Sequence, residues 1–387
     1  MNPDFFSTAH LTKLFLRLCL GVLALLLLIE GILWLGFRAS LHPPVVLHLN
    51  NKLPGLQQRV TLEISSAEQL RSLHWTPGAK PAGALRILCI GGQATVGQLQ
   101  NAEDTWWGQL AAQLQEKLPG VPVEIGVNAS GTLLALSGAK WLATFAPEWQ
   151  PDLIITNLGA SDVLYQPLEY EYDAAAYDRL PPARRVRAAW KESLLQVSQI
   201  SRWWASREMK SAAARNQALL GAEDFYTENF QNLRTELARH PAIPNPFRLS
   251  EADPRNEYRD ALKRIIATAQ SAGAKLLLTG EPCLCRELMT DENAALRITF
   301  VPKSPRPPLM MVKVQSGWVE RELRRFQEVT QELATEHQLT FVNLNETIPA
   351  DARYFVTETM LTDLGAKEMA SQLLPKVLPL VQKARAN

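Results

Sequence analysis

Hydrophobic and polar positions along the chain fall into a repeating order of short apolar runs and longer periodic ones. Residues 85–90 form a largely apolar run too brief for an independent helix, and Gly91 and Gly92 end it at once, which reads as a buried strand entering a tight turn. Residues 104–118 carry Trp106, Leu110, Leu114 and Leu118 at helical spacing. A strand over 121–127, a helix over 134–145 and an apolar strand over 152–158 follow. The alternation resumes with a helix over 258–272, a strand over 274–280, a helix over 320–337, a strand over 339–344 and a closing helix over 363–380. Strands without polar alternation are buried on both faces, and strand–helix–strand order implies a parallel sheet. The predicted fold is therefore α/β, a three-layer sandwich around a five-stranded parallel sheet of flavodoxin-like type. Ligands in such sheets lie beyond the strand carboxyl ends, where Gln93, Ser161, the Cys283–Cys285 loop and the segment before Asp363 should converge. Glycines at 91 and 92 would let the backbone take positive φ and approach a ligand.

Two regions break the pattern. Residues 18–36 are apolar apart from Glu30, close to the ~20 residues a helix needs to span a bilayer and longer than the ~7–15 apolar residues of a signal peptide. Lys13 and Arg17 precede this span, a basic bias that places residues 1–17 in the cytoplasm and the body outside. Glu30 is costly in a bilayer and marks either a helix partner in the membrane or a carboxyl on a lone helix. Residues 37–84 then read as a stalk with a small packed extension. The second break is a charged, aromatic insertion over about 163–257, with a basic patch at 183–187 and an aromatic helix candidate at 200–204. Between two sheet strands it reads as a cap, and the basic patch as a solvated helix face or an anion-binding surface.

At 387 residues the chain has ample length for a core, and its net charge of +1 gives no sign of a nucleic-acid partner. Four cysteines are too few for a disulfide scaffold. Cys283 and Cys285 read as small buried loop residues, since a metal would need further ligands and a bridge across one residue is strained. No cofactor is implied.

Several stretches together resemble the SGNH (GDSL-type) hydrolases, in particular membrane-anchored bacterial members with a cap insertion, from about residue 85 to the C-terminus. IGGQATVG is similar to a Gly-Gly-Ser-x-Thr-x-Gly turn, VEIGVNASGT to the motif supplying an oxyanion glycine, PDLIITNLGASDVL to a strand ending in Gly-x-Asn-Asp, and YFVTETMLTDLGAKEMA to an Asp-x-x-His-Leu-Thr-x-x-Gly segment. The resemblance implies acyl-ester hydrolysis by a serine that a histidine activates and an aspartate orients, with an oxyanion hole of amides and an asparagine. Carried over, however, the serine position holds Gln93, the asparagine position Ser161, the aspartate position Thr357 and the histidine position Met360. The oxyanion glycine is Gly131 or Gly126, or is missing. Gly92, Thr95, Asn128, Ser130, Gly159 and Asp162 complete the candidate pocket. None of the six histidines lies near the last motif, so a substitute nucleophile would be Thr95 or Ser130 with Asp162 as base.

Three functions follow as expectations. The first is an anchored, non-hydrolysing member that binds a glycan, an acyl group or an envelope protein. The second is an active acyl or carbohydrate O-acyl esterase using other residues. The third is a structural membrane subunit.

Overall fold

The computed structural model describes residues 8–36, 45–50, 54–57, 59–65, 70–74, 80–130, 133–164, 253–297, 301–302 and 311–386, with a few positions between 231 and 242. Most of the insertion over 163–257, including the basic patch and the aromatic helix candidate, lies outside the described residues. So does Gly131.

In chain order the elements begin with helix α1 (Thr8–Gly36) and strands β1 (Val45–Asn50), β2 (Arg59–Ser65), β3 (Leu70–Leu73) and β4 (Leu85–Gly91). Helix α2 (Gln93–Val96) starts directly after the glycine turn, and α3 (Trp106–Lys117), β5 (Val123–Ala129), α4 (Ala135–Trp149) and β6 (Leu153–Leu158) follow. The second half holds α5 (Pro254–Ser271), β7 (Lys275–Gly280), a small hairpin of β8 (Val301–Pro302) and β9 (Met311–Val312), α6 (Ser316–Glu336), β10 (Thr340–Asn343) and α7 (Asp363–Ala386). The main sheet has eight strands in the order β1-β2-β3-β5-β4-β6-β7-β10.

Five of these, β5-β4-β6-β7-β10, are parallel, as the apolar runs predict. The sheet as a whole is mixed, because β1, β2 and β3 add to the β5 edge in antiparallel register. The stretch read as a stalk with a small extension thus contributes three strands. Val60–Ile64 was the visible part of that signal; the rest was obscured by Pro, Asn and Gly punctuation.

The inner parallel strands are buried on both faces and β4 is buried throughout, whereas the edge strand β10 is mostly half-buried. Leu88 and Ile90 pack with α4, α5 and α6 on one side, while Ile87 and Cys89 pack with α3 and α7 on the other. At ~0.8 kcal/mol per buried CH₂, these two layers are the main stabilising term. Deep in the sheet Arg86 and Glu124 are paired: they sit 2.7 Å apart, with side-chain exposures of 0% and 3%, and Arg86 donates to the Trp149 carbonyl at 2.9 Å. Asp152 at the foot of β6 accepts the Arg86 backbone N–H at 2.8 Å and Lys80 Nζ at 2.6 Å, locking the strand starts in register.

The connections position the site. From β4 the chain crosses through α3 to β5 on one side, then returns through α4 to β6 on the other. The order reverses between β4 and β6, the switch point beside which open α/β sheets bind ligands.

Candidate functional site

The turn after β4 carries Gly91, Gly92 and Gln93, and the turn after β6 carries Gly159, Ala160, Ser161 and Asp162. Gly91 and Gly92 are not in the left-handed region, contrary to the expectation of positive φ. Their role is steric: a Cβ on Gly91 would fall 2.2 Å from Thr95 Oγ1 and 2.7 Å from the Asn157 carbonyl. On Gly92 it would fall 2.5 Å from both Ser161 Oγ and Glu281 Oε1. The left-handed glycine of the site is Gly159, with φ 124°, where the chain leaves β6 and turns into helix over residues 160–164.

Gln93 is half-buried at the start of α2, and its Oε1 accepts a hydrogen bond from Thr359 Oγ1 at 3.0 Å. That bond joins the β4 turn to the segment before α7. Thr357 and Met360 are 0% and 2% exposed, and the Met360 N–H donates to Thr357 Oγ1 at 3.2 Å. The positions that resemble the acid and the base are therefore folded on each other as a closed turn, which Val356 and Met360 tighten with a 2.8 Å backbone bond. Among the described residues no histidine pairs with Gln93, Ser161, Thr357 or Met360; His337 ends α6, next to Glu336.

The other pocket candidates divide. Thr95 is fully buried; its backbone accepts the Trp107 indole N–H at 3.0 Å, and its hydroxyl packs behind Gly91. Asp162 Oδ1 accepts the N–H of Ala135, the first residue of α4, at 3.0 Å, an acceptor for one of that helix's free amides. Asn128 is buried at the end of β5, and Ser130 is half-buried just beyond it. Gly92, Gln93, Gly159 and Ser161 are brought together; Thr357 and Met360 reach the group through Thr359.

The Cys283–Cys285 loop also arrives here, because Leu284 N–H donates to the Glu358 carbonyl at 2.7 Å. Both cysteines are free and buried, and the Cys285 N–H contacts Cys283 Sγ at 3.4 Å. The thiol–thiol contact and burial hold the Cys283 thiol protonated, well above its ordinary range. Among the described residues no group of three or more metal-ligating side chains forms.

One residue of the site escaped the sequence reading. Glu281, immediately after β7, is completely buried. Its Oε2 accepts the Ala160 N–H at 3.0 Å, whereas Oε1 has no hydrogen-bond partner. Burial pushes its pKa up to about 8; the Ala160 amide opposes this, Asp162 adds to it, and the Ser161 and Ala94 amides oppose it. A carboxylate caged at the carboxyl end of an apolar strand was the available signal: a lone acidic residue directly after LLLTG.

The geometry agrees with the comparisons. A family model described as GDSL-like Lipase/Acylhydrolase family matches residues 89–364. Similar solved structures include the M. smegmatis aryl esterase, 15% identical with a TM-score of 0.41, covering 77% of this chain and 100% of that one. The carbohydrate acetylesterase Est24 from Sinorhizobium meliloti is 13% identical with a TM-score of 0.40, covering 76% and 99%. The acetyl xylan esterase AlAXEase is 9% identical with a TM-score of 0.40, covering 76% and 100%. No curated protein matches the sequence. With its model spanning most of the chain and the four motif segments in order along it, the chain belongs to the GDSL-like lipase/acylhydrolase family.

Proposed function

We propose that this protein is a membrane-anchored, non-hydrolysing member of its family that holds an acyl group, a glycan or an envelope partner at the crevice between β4 and β6. One observation carries the reading. The position of the family nucleophile is a glutamine whose carbonyl oxygen is committed to Thr359, and the positions of acid and base are two buried side chains with no ionisable group. A carboxamide cannot attack a carbonyl carbon, and without the histidine that activates the nucleophile and then a water, the family's hydrolytic cycle does not turn over. The crevice still offers neutral hydrogen-bonding groups, which suffice for binding.

The anchor rests on α1. Its window Phe15–Ile32 has mean hydropathy 2.3 and is long and apolar enough to cross a membrane. Leu18, Leu20 and Leu25 to Leu28 within it are exposed. The basic residues before it favour a cytoplasmic N-terminus and an extracytoplasmic body.

The test is steady-state hydrolysis of p-nitrophenyl acetate and longer acyl esters by the full chain in detergent, beside Gln93→Ala. Turnover at background in both is expected. Sustained wild-type turnover would favour the esterase alternative.

A further inference from the structure

Ser161 and Glu281 both approach Gly92 on the side where a side chain would stand. Both Ser161 Oγ and Glu281 Oε1 stand 2.5 Å from the place a Cβ would take at that residue, and only glycine leaves this space open. Ser161 is 2% exposed and Glu281 fully buried. Glu281 is fixed by the Ala160 amide through Oε2, the amides of Ser161 and Ala94 also lie against the carboxyl, and Oε1 makes no hydrogen bond of full geometry, to Ser161 Oγ or any other group. Position 161 is also where the family resemblance places a group against the reacting carbonyl.

We propose that Ser161, with Glu281 as its base, is an acyl-accepting pair: it takes an acyl group from an ester and holds it as acyl-Ser161. This deepens the non-hydrolysing reading and rests on it, since it names the ligand class as an acyl ester and makes the bound state covalent. In the step, Ser161 Oγ attacks the ester carbonyl carbon, and its proton passes to Glu281 Oε1. The carbon–oxygen bond to the alcohol breaks, and the departing alkoxide recovers that proton as a free alcohol. An ester and a serine hydroxyl become acyl-serine and an alcohol, with no change of oxidation state. The Gln93 carboxamide, whose oxygen alone is engaged among the described residues, has N–H donors left for the carbonyl oxygen. After acylation the ester oxygen covers Glu281 from the crevice, so water is not activated and the acyl group persists.

Burial of Glu281 raises its pKa to about 8, close to what a general base working near neutral pH requires. Asp162 beside it raises that value, and the amides of Ala160, Ser161 and Ala94 lower it. Acylation should therefore quicken as pH rises from 6 to 9.

The experiment mixes the full chain in detergent with p-nitrophenyl acetate, follows p-nitrophenol in the first turnover, and maps the acetyl group by peptide mass spectrometry. The expected result is a burst of one equivalent, with acetyl on the peptide containing Ser161. Ser161→Ala and Ser161→Gly should abolish it, and Glu281→Gln should slow it about 100-fold, the lower end of what a general base provides. Thermal melts confirm folding, and either serine variant suffices if the other is unstable. No acetyl at Ser161, or an unchanged burst rate in Glu281→Gln, overturns the pair. If burst and turnover are both absent, this inference falls while the non-hydrolysing reading stands. A burst on Ser161 followed by sustained turnover upholds the pair and overturns that reading.

Discussion

At the scale of residues, the proposed reading rests on a few positions. Gln93 opens α2 where the family resemblance expects a nucleophile, and Met360, a pliable apolar chain, stands where it expects an imidazole. Restoring the ionisable groups is a direct check. Gln93→Ser, Thr357→Asp and Met360→His together should raise p-nitrophenyl acetate turnover at least about tenfold over wild type, because a triad acts as a unit and single replacements recover little. Glu281 predicts a pH effect on stability. Its folded pKa of about 8 lies above the ordinary 4.5, so the folded state holds a proton that the unfolded state has released. The resulting stability is full below about pH 4.5 and is lost as pH rises through about 8. Wild type should melt lower at pH 9 than at pH 6, and Glu281→Gln should flatten that dependence; equal slopes would refute the shifted carboxyl.

The segments carrying Gln93, Ser161, Thr357 and Met360 were legible in the sequence because the glycines and apolar strands around them mark their places. Glu281 was not read: its local mark is only a lone acidic residue after LLLTG, and the burial that makes it unusual arises in the fold. Nor was the reason for Gly92 apparent. The sequence suggests a left-handed turn, whereas the residue is bare to let Ser161 and Glu281 approach.

At the scale of elements, caps and ion pairs set the frame on which the crevice sits. Thr105 accepts the Gly108 N–H at 3.1 Å at the start of α3, and Asp253 accepts the Arg255 N–H at 3.0 Å at the start of α5. Replacing either by alanine should cost about 1 kcal/mol, read as a lower denaturation midpoint. Breaking the buried pair by Arg86→Met should cost about 3–5 kcal/mol, because Glu124 at 2% exposure would be left charged without its cation. Helix and strand periods located these elements to within a few residues, since packing on two faces leaves a strong pattern. The short strands β1 to β3 were less visible, because Pro, Asn and Gly punctuate that stretch and β3 has only four residues.

At the scale of the whole molecule, the N-terminal strands connect the apolar helix region to the site. Arg71 on β3 donates to the Val96 carbonyl, to Gly97 O at 2.7 Å and to Gln100 O at 3.0 Å, and it lies over the Trp107 ring. Burial lowers its pKa to about 10, with Glu103 opposing that shift, so the guanidinium stays charged. From the other side, the Asp363 N–H donates to the Gly55 carbonyl at 2.9 Å, and Gln100 Nε2 reaches Asp363 Oδ1 at 2.9 Å. The extension thus grips the loop after Gln93 and the start of α7 together. Arg71→Ala should speed hydrogen exchange over residues 96–100 and leave the amides of β6 and β7 unchanged.

The claim at the centre of this account is that the family fold persists here without its hydrolytic turnover. The most direct measurement is the steady-state rate of p-nitrophenyl acetate hydrolysis by the full chain after the first equivalent of product, compared with buffer and with Gln93→Ala. The account predicts a rate at background that Gln93→Ala does not change. A sustained rate at least about a hundredfold above background, well below the 10⁶-fold of ordinary enzymes, would already contradict it.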